Sequence, residues 1–338
     1  TIRWVGNESG WAGQTSWSMY DSPKGDCKAE YGSLSGAKWL PSEVDVSIRP
    51  GWFYHQSEDH QVRSVSNLVD LYYQSVGRNS NLLLSFPVAI SGTIHPIDSA
   101  RVMQYAAVMA NELKTDLLRG VKVEASSSRG GDVTADKVND GNWDTYFATS
   151  DSVVHADITF AFNAPTTINR LMLQEYIPLG QRVKSFSVDY FAHGAWLPLP
   201  TADTMTTIGY KRILRFKNVT VEKLRVSFKD ARGPLTINNI SAYFAPALMS
   251  EPVISRDRHS RVTIQGGDGS VALFYTLDGK QPTENSTRYI EPFVLTQPAV
   301  IKAIAQDESS KQRFSEISIK QFDVPATNFV IQTKGAPS

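Results

Sequence analysis

Cysteine is almost absent: the 338 residues contain only Cys27, so no internal disulfide can form. This excludes a small scaffold held by disulfides and most cysteine-based metal sites, and it leaves cytoplasm or bacterial periplasm open as the compartment. Net charge is lacking as well, because 34 Lys and Arg residues balance 34 Asp and Glu residues. Without an excess of positive charge, neither nucleic acid nor an anionic membrane is the expected partner.

Long apolar runs and common catalytic motifs are also missing. Nowhere do about 18 consecutive apolar residues occur, so no membrane insertion is predicted. The six histidines show no His-Glu-x-x-His spacing, and the sequence has neither a Gly-x-Ser-x-Gly elbow nor a Walker loop, which makes a metalloenzyme or a nucleotide-binding enzyme unfavoured. The chain begins at Thr1 without a charged n-region and an apolar h-region, so we expect a signal peptide or initiator Met to lie outside it.

The first third of the sequence predicts an α/β unit. Apolar residues recur at helical spacing between Val65 and Val76, and Gly77 is a plausible terminator. The run 81–87 is nearly continuously apolar, as expected for a strand buried on both faces of a parallel sheet. A second helical stripe extends over 102–113, with Asp98 or Ser99 as the expected N-cap. Helix, buried strand and helix together are typical of an α/β fold.

From about residue 121 the apolar period changes to two, which predicts an all-β region. Short strands spaced by about ten residues and separated by Asn-Gly, Asp-Gly and Pro signals favour a sandwich of antiparallel sheets. Another group of strands is predicted after Pro246, at 261–264, 272–276 and 300–304, with a turn at 277–280.

The first 52 residues hold five of the seven tryptophans, and two groups of polar residues among them are candidate sites. Glu8 is a carboxylate among tryptophans and glycines, where a poorly solvated carboxyl group could act as a general acid; a solvated loop glutamate is the alternative. Glu43 and Asp45 alternate with valines on a predicted strand, close to Arg49 and Trp52. If that polar face lines a pocket, Trp52 could stack on a sugar; otherwise the strand has a solvated face.

The runs 2–8, 43–55 and 77–84 resemble, in this order, the C-terminal part of the catalytic domain of the α-L-fucosidases of glycoside hydrolase family 29. The first two runs are similar to the subgroup acting on α-1,3 and α-1,4 linked fucose in branched, Lewis-type glycans. Residues 85–88 depart from the family's usual Asn-hydrophobic-Pro-Pro, at a framework position.

This resemblance implies a retaining exo-α-L-fucosidase built on a (β/α)8-like barrel, of which residues 1–118 are the C-terminal part. It places the acid/base at Glu8, with Glu43 as the runner-up, and the Asp nucleophile upstream of Thr1. Trp52 would form an apolar wall beside fucose, while Glu43, Asp45 and Arg49 would bind substrate hydroxyls. No cofactor is expected for catalysis, and the expected partner is a fucosylated oligosaccharide or glycan.

The source and location follow from the same hypothesis. Asn7-Glu8-Ser9 is an N-glycosylation sequon, which would place a glycan beside a catalytic Glu8, so a bacterial source is expected. The bacterial periplasm or secretion is the corresponding location.

The two β regions resemble modules that accompany glycan-degrading enzymes. The run 138–149 is similar to that of discoidin-like sandwiches, which predicts such a domain over 119–246. That resemblance implies a structural calcium near Asp140, with Thr145 and backbone carbonyls as ligands, or else a turn held by Asp140 alone. The runs 274–283 and 300–305 are similar to the C-terminal sandwich of chitobiase-type enzymes, predicted over 247–338.

The predicted architecture is therefore multidomain, α/β plus all-β, with a partial barrel followed by two β-sandwiches. A different class of function stays open beside the enzyme: a non-catalytic glycan-binding protein that uses the discoidin-like domain.

Overall fold

The structure, a computed structural model, describes residues 1–21, 28–246, 248–266, 271–308 and 314–323. Cys27 lies outside these ranges. The chain divides into two compact units, one formed by residues 1–54 and 67–246 and the other by 55–66 and 247–338. It is mostly β-sheet with few helices, and no helix in the described ranges is long and apolar enough to cross a membrane.

A small parallel sheet forms the first part of the first unit. Its elements are β1 (Arg3–Trp4), β2 (Met19–Tyr20), β3 (Lys38–Trp39), β4 (Ser42–Ser47), α1 (Val65–Ser75), β5 (Ser80–Ser85) and α2 (Pro96–Glu112). Strands β1, β4 and β5 pair in parallel in that order, while β2 and β3 form a separate antiparallel pair. Val5, Val44 and Leu82 pack together on one face of the parallel sheet.

Helix α1 confirms the predicted amphipathic helix, since Val65, Leu68 and Val69 are all buried. It ends just before Gly77, where a Cβ atom would come within 2.4 Å of the Tyr73 carbonyl oxygen. The sequence signal for the end of the helix therefore reflects a close backbone approach.

The prediction that β5 is buried on both faces is wrong. Leu82 packs in the core, but Leu83 is 53% exposed on the opposite face. Leu83 is in register with Asp45 of β4, so this face continues the polar side of the neighbouring strand. The apolar run therefore overstated the burial, because only one face of β5 packs on the core.

The predicted cap of the second helix is also wrong. Helix α2 begins at Pro96, and its N-cap is His95, whose Nδ1 accepts a hydrogen bond from the Ile97 N–H at 3.4 Å. Proline is favoured at the first helical position, which explains why the helix starts before its apolar stripe. Asp98 consequently lies inside the first turn, where it is buried.

The second part of the first unit is an antiparallel sandwich. Its strands are β6 (Lys122–Ala125), β7 (Phe147–Ala148), β8 (Ala156–Glu175), β9 (Val183–Ala192), β10 (Ala195–Pro198), β11 (Arg212–Ala231) and β12 (Thr236–Tyr243). Its core confirms the period-two pattern, since Ile158, Phe160, Leu224 and Val226 are fully buried.

Strands β8 and β11 each run for 20 residues, which corrects the prediction of short strands only. The first half of β8 pairs with β6 and its second half with β12, so the strand belongs to both layers. The pairing of β8 with β11 shifts register between Arg215 and Val219 and again between Val221 and Lys223. Pro165 lies at this bulged corner between the layers, where β8 continues instead of ending.

The parallel sheet and the sandwich are joined by buried hydrogen bonds. Asn79, in the left-handed region at φ 60°, accepts from the Tyr210 N–H at 2.9 Å and donates to the Ser16 carbonyl at 3.0 Å. Gln181 accepts from the Ser18 N–H at 2.7 Å and also donates to the Ser16 carbonyl. Both side chains are buried amides, so the joint between these parts is specific in geometry.

The second unit contains two small antiparallel sheets over a common core. Its strands are β13 (Val253–Arg256), β14 (Arg261–Gln265), β15 (Val271–Thr276), β16 (Thr287–Tyr289), β17 (Phe293–Val294), β18 (Ala299–Asp307) and β19 (Ser318–Phe322). The orders are β13-β14-β17 and β16-β15-β18-β19. Buried residues of both sheets, including Ile264 and Ile301, pack in one cluster, which makes this unit a sandwich. The three strands predicted here are confirmed as β14, β15 and β18.

Candidate active site

The candidate residues Glu8 and Trp52 follow neighbouring parallel strands at the same edge of the sheet. Trp4 of β1 is in register with Glu43 of β4, so the segments after both strands emerge side by side at the carboxyl edge. This edge is where α/β proteins built from parallel strands place their sites.

Glu8 is held in an exposed loop between two glycines with positive φ. Gly6 has φ +89° and Gly10 has φ +78°. A Cβ atom at Gly10 would come within 2.7 Å of Leu71 of α1, so the glycine lets the loop fold closely onto the helix. Glu8 is thereby presented to solvent at the sheet edge.

Trp52 reaches Glu8 from the neighbouring strand. Its indole Nε1 donates a hydrogen bond to Glu8 Oε2 at 3.0 Å. The turn before it is closed by Ser47, whose hydroxyl accepts from the Arg49 N–H at 3.2 Å and donates to the Gly51 carbonyl at 2.7 Å. The ring is 38% exposed, so it can both orient the carboxylate and offer an apolar surface to a ligand.

Glu43 and Asp45 point to the half-buried face of β4, while Val44 and Val46 are fully buried on the other. Asp45 Oδ1 accepts a hydrogen bond from Trp4 Nε1 at 2.6 Å. The exposed indoles of Trp4 and Trp52 therefore each donate to one carboxylate. Trp4 had no role predicted from sequence, although its place in the run 2–8 marks it as a neighbour of Glu8.

Arg49 is located differently from the expectation that it binds a substrate hydroxyl. Its guanidinium is fully buried and forms a two-point ion pair with Asp98 of α2, with both N···O distances at 2.8 Å. It also lies over the ring of Tyr54, with the guanidinium carbon 4.8 Å from the ring centre. None of this side chain reaches the surface, so it is not placed to contact a substrate. Its ion pair instead connects the segment before Trp52 to helix α2.

The loop with Asp140 is the only place where the sequence indicated a metal. Asp140 Oδ1 accepts from the Asn142 N–H at 2.8 Å, and Oδ2 accepts from the Thr145 hydroxyl at 2.8 Å. No group of three or more His, Cys, Asp or Glu residues with a geometry suited to a metal ion occurs in the described parts of the chain.

Elsewhere in the sandwich, the aromatic side chains pack mainly on one another. Tyr176 stacks on Tyr146 with ring centres 4.3 Å apart. Trp196 contacts Phe191 and carries the guanidinium of Arg225 at 4.3 Å from its ring centre. These rings lie on different elements and do not form one aromatic surface around a cleft.

Two domain families match the β regions. Residues 122–242 match the F5/8 type C domain, and residues 257–318 match the chitobiase/β-hexosaminidase C-terminal domain. Both modules confirm the resemblances read from the runs 138–149 and 274–283.

Similarity to whole proteins covers more of the chain. Alpha-L-fucosidase 1 of Arabidopsis thaliana is 33% identical over 254 residues, which are 72% of this chain and 49% of that protein. The structure of a Ruminococcus gnavus fucosidase of glycoside hydrolase family 29, in complex with fucose, is 30% identical with a TM-score of 0.66, covering 73% of this chain and 51% of that one. A member of the same family from an unknown rumen bacterium is 27% identical with a TM-score of 0.62, covering 95% of this chain and 62% of that one.

These relatives are named as α-L-fucosidases or members of glycoside hydrolase family 29, so the chain is similar in sequence and structure to glycoside hydrolases. More narrowly, it is homologous to the α-L-fucosidases of glycoside hydrolase family 29 and carries an F5/8 type C domain and a chitobiase-type C-terminal domain. The chain spans about half the length of the curated relatives it matches.

Proposed function

We propose that this chain contributes the acid/base half of a retaining exo-α-L-fucosidase that removes α-1,3 or α-1,4 linked fucose from branched, Lewis-type glycans. The observation that carries the proposal is the pairing of Glu8 with Trp52 at the carboxyl edge of three parallel strands. The homology to family 29 fucosidases supports the reaction class.

Retaining hydrolysis needs two carboxyl groups about 5 to 5.5 Å apart. In this proposal Glu8 protonates the leaving oxygen and then activates water, and Glu43 is the alternative acid/base. The Asp nucleophile is expected from the part of the fucosidases that this chain does not span. The strands β1, β4 and β5 would then be part of a (β/α)8-like barrel, whose catalytic groups lie at the carboxyl ends of its strands.

Substrate contacts are assigned to exposed or half-exposed groups at the same edge. The ring of Trp52 would cover an apolar side of fucose, and Glu43 and Asp45 would accept hydrogen bonds from sugar hydroxyls. Arg49 contributes indirectly, through its buried pair with Asp98. The linkage preference is supported by the likeness of the runs 2–8 and 43–55 to the corresponding subgroup.

A bacterial source and a periplasmic or secreted location belong to the same proposal. Branched glycans are met outside the cytoplasm, and the Asn7-Glu8-Ser9 sequon is harmless where N-glycosylation is absent. Fractionation of cells producing the native protein, followed by immunoblotting, tests this location.

The direct test is release of L-fucose from a Lewis-type trisaccharide by the full-length protein, with proton NMR of the first-formed anomer. We expect net retention and a loss of about 10² to 10⁴-fold in kcat for Glu8→Ala, as for removal of a general acid/base. Glu43→Ala, on the same sheet, should mainly raise KM. The reverse pattern would assign the acid/base to Glu43.

Binding of the trisaccharide without hydrolysis would contradict the proposed enzymatic activity. If the full-length wild type binds the trisaccharide but releases no fucose, a non-catalytic glycan-binding protein replaces the proposal. Binding that persists in the isolated sandwich 119–246 would then place the sugar site in that domain, provided that circular dichroism shows this fragment to be folded.

A further inference from the structure

Hydrogen bonds from amide N–H groups and a hydroxyl hold the loop from Asn139 to Tyr146. This is the position where the resemblance to discoidin-like sandwiches implies a calcium ion. The Asp140 carboxylate is already engaged on both oxygens, by the Asn142 N–H and by the Thr145 hydroxyl. Lys137 Nζ lies 3.9 Å from Asp140 Oδ2 and supplies positive charge at the same oxygen. Of the two carboxylates in the loop, Asp140 is therefore already engaged by groups of the protein, while Asp144 is exposed.

A side chain of strand β12 donates hydrogen bonds to two backbone oxygens of the loop. Asn238 of β12 donates from Nδ2 to the Trp143 carbonyl at 3.0 Å and to the Thr145 carbonyl at 2.7 Å. A side-chain amide carries two N–H donors, so both are used here. Asn238 itself is buried, so its amide is directed at these two carbonyls while the bonds lie partly shielded from water.

Calcium binds six to eight oxygens at about 2.3 to 2.6 Å, and each must turn a lone pair toward the ion. An amide N–H and a cation are both electropositive partners of a carbonyl oxygen, so an N–H directed at the oxygen occupies one of its two lone pairs and repels a cation that approaches the other. The carbonyls of Trp143 and Thr145 face the Asn238 amide, and Asp140 faces an N–H and an O–H. The donor set therefore does not fit calcium.

Two further contacts agree with this arrangement. Asn139, at the start of the loop, donates from Nδ2 to the Leu118 and Val121 carbonyls at 2.6 and 2.9 Å. Gly141 has φ +63°, and a Cβ atom there would overlap the guanidinium of Arg119, so a second cationic side chain lies against the loop. Amide clamps at both ends and adjacent positive charge all disfavour a divalent cation.

We propose that the Asn238 amide replaces calcium as the fastener of this loop, and that the F5/8 type C domain of this chain folds and keeps the loop in place without the metal. The exposed Trp143 at its tip is then held by β12 irrespective of calcium concentration. The proposal is independent of the fucosidase activity, because it concerns only the packing of the loop.

The first test measures thermal unfolding of the whole protein and calcium binding by isothermal titration. Wild type should unfold at the same temperature in EDTA and in millimolar calcium chloride, and the titration should show no saturable heat. A saturable increase of the melting temperature that is lost in Asp140→Asn would overturn the proposal, because it would show a calcium site at this loop.

The second test replaces the Asn238 amide by a carboxylate, which is a group that can bind calcium. Asn238→Asp removes both N–H donors and turns a carboxylate toward two carbonyl oxygens, so in EDTA the melting temperature should fall by on the order of 5 °C. Calcium should restore it, since the new carboxylate at position 238 of β12 would add to Asp140 and to the freed carbonyls of the loop. Asn239→Asp is the matched control, because Asn239 bonds to Gln174 and Ser241 instead of the loop, and its destabilisation should not respond to calcium.

An Asn238→Asp variant that is as stable as wild type in EDTA would contradict the proposed role of the amide. An equal calcium response in wild type and in this variant would contradict it too. If the variant does not fold, the wild-type titration decides alone, because a saturable calcium site lost in Asp140→Asn refutes the proposal and its absence supports it.

Discussion

Asp98 and Arg49 lie 49 residues apart and form a two-point ion pair that is closed to water. Asp98→Asn would remove a charged partner that contacts the buried guanidinium at two points. Removing one partner of a buried ion pair typically lowers the free energy of unfolding by about 3 to 5 kcal/mol, and we expect a loss of this size in denaturant unfolding.

Asp45→Asn is the control for that experiment, because Asp45 accepts a hydrogen bond from the half-exposed Trp4. A change of less than about 1 kcal/mol is expected there. An Asp98→Asn protein as stable as wild type would show that the pair does not brace the segment before Trp52. The double change Arg49→Met with Asp98→Leu should recover much of the lost stability, because it removes both charges.

The exposed indoles of Trp4 and Trp52 allow a matched comparison in the full-length protein. Trp52→Phe keeps an aromatic ring but removes the donor to Glu8, so kcat for fucose release should fall by about tenfold. Trp4→Phe removes the donor to Asp45 and should act mainly on KM. Initial-rate kinetics separate these effects, and equal losses in kcat would argue against a specific role for the Trp52 contact.

The elements could be predicted from sequence where the determinants are local. The stripe from Val65 predicted α1, and period two predicted the buried side chains of β8 and β11, since both signals depend on residues within one element. The ends of the strands were less predictable, because Pro signals were taken to separate short strands, whereas at Pro165 bulged pairing carries β8 through. Sequence spacing does not show whether a partner strand compensates for a proline.

The candidate site shows more clearly that contacts between distant segments cannot be predicted from sequence spacing. Resemblance brought Glu8 and Trp52 together before the structure did, although 44 residues separate them. Arg49 was expected at the substrate, yet it is buried, because its partner Asp98 comes from the first turn of a helix that follows much later. An ion pair between distant segments has no periodic signal, so composition and spacing could not assign the role of either residue.

Glu175 should make the stability of the first unit depend on pH. Burial raises the pKa of its carboxyl from 4.5 to about 7, partly opposed by hydrogen bonds from the Val183, Gly209 and Arg182 N–H groups. Between these pH values the folded chain holds a proton that the unfolded chain has released. The contribution of Glu175 to the free energy of unfolding is therefore complete below about pH 4.5. It decreases as the pH rises toward 7, by about 3 kcal/mol at most.

Glu175→Gln cannot titrate, so its unfolding free energy should lack this decline between pH 4.5 and 7. Urea unfolding of both proteins across this range measures the difference in slope. Glu222→Gln, a change at an exposed glutamate of β11, should leave the wild-type slope intact. Parallel pH profiles for wild type and Glu175→Gln would contradict the assignment.

Gly209 is the tightest point of the joint between the parallel sheet and the sandwich. It has φ +70°, and a Cβ atom there would lie 2.1 Å from the Asn79 side chain, which accepts from the Tyr210 N–H. Gly209→Ala must therefore both strain the backbone and displace Asn79 from its buried hydrogen bonds. Gly194→Ala is the matched control, because Gly194 has φ +78° but open space around its Cβ position.

The difference between the two variants isolates the cost of crowding at the joint. We expect Gly209→Ala to lower the free energy of unfolding by about 1 to 3 kcal/mol more than Gly194→Ala, since overpacking adds to a comparable backbone strain. Denaturant unfolding of both variants measures it. Equal losses would mean that Asn79 moves aside at no cost, and that the buried amide contributes little to holding the sandwich against the strands that carry Glu8.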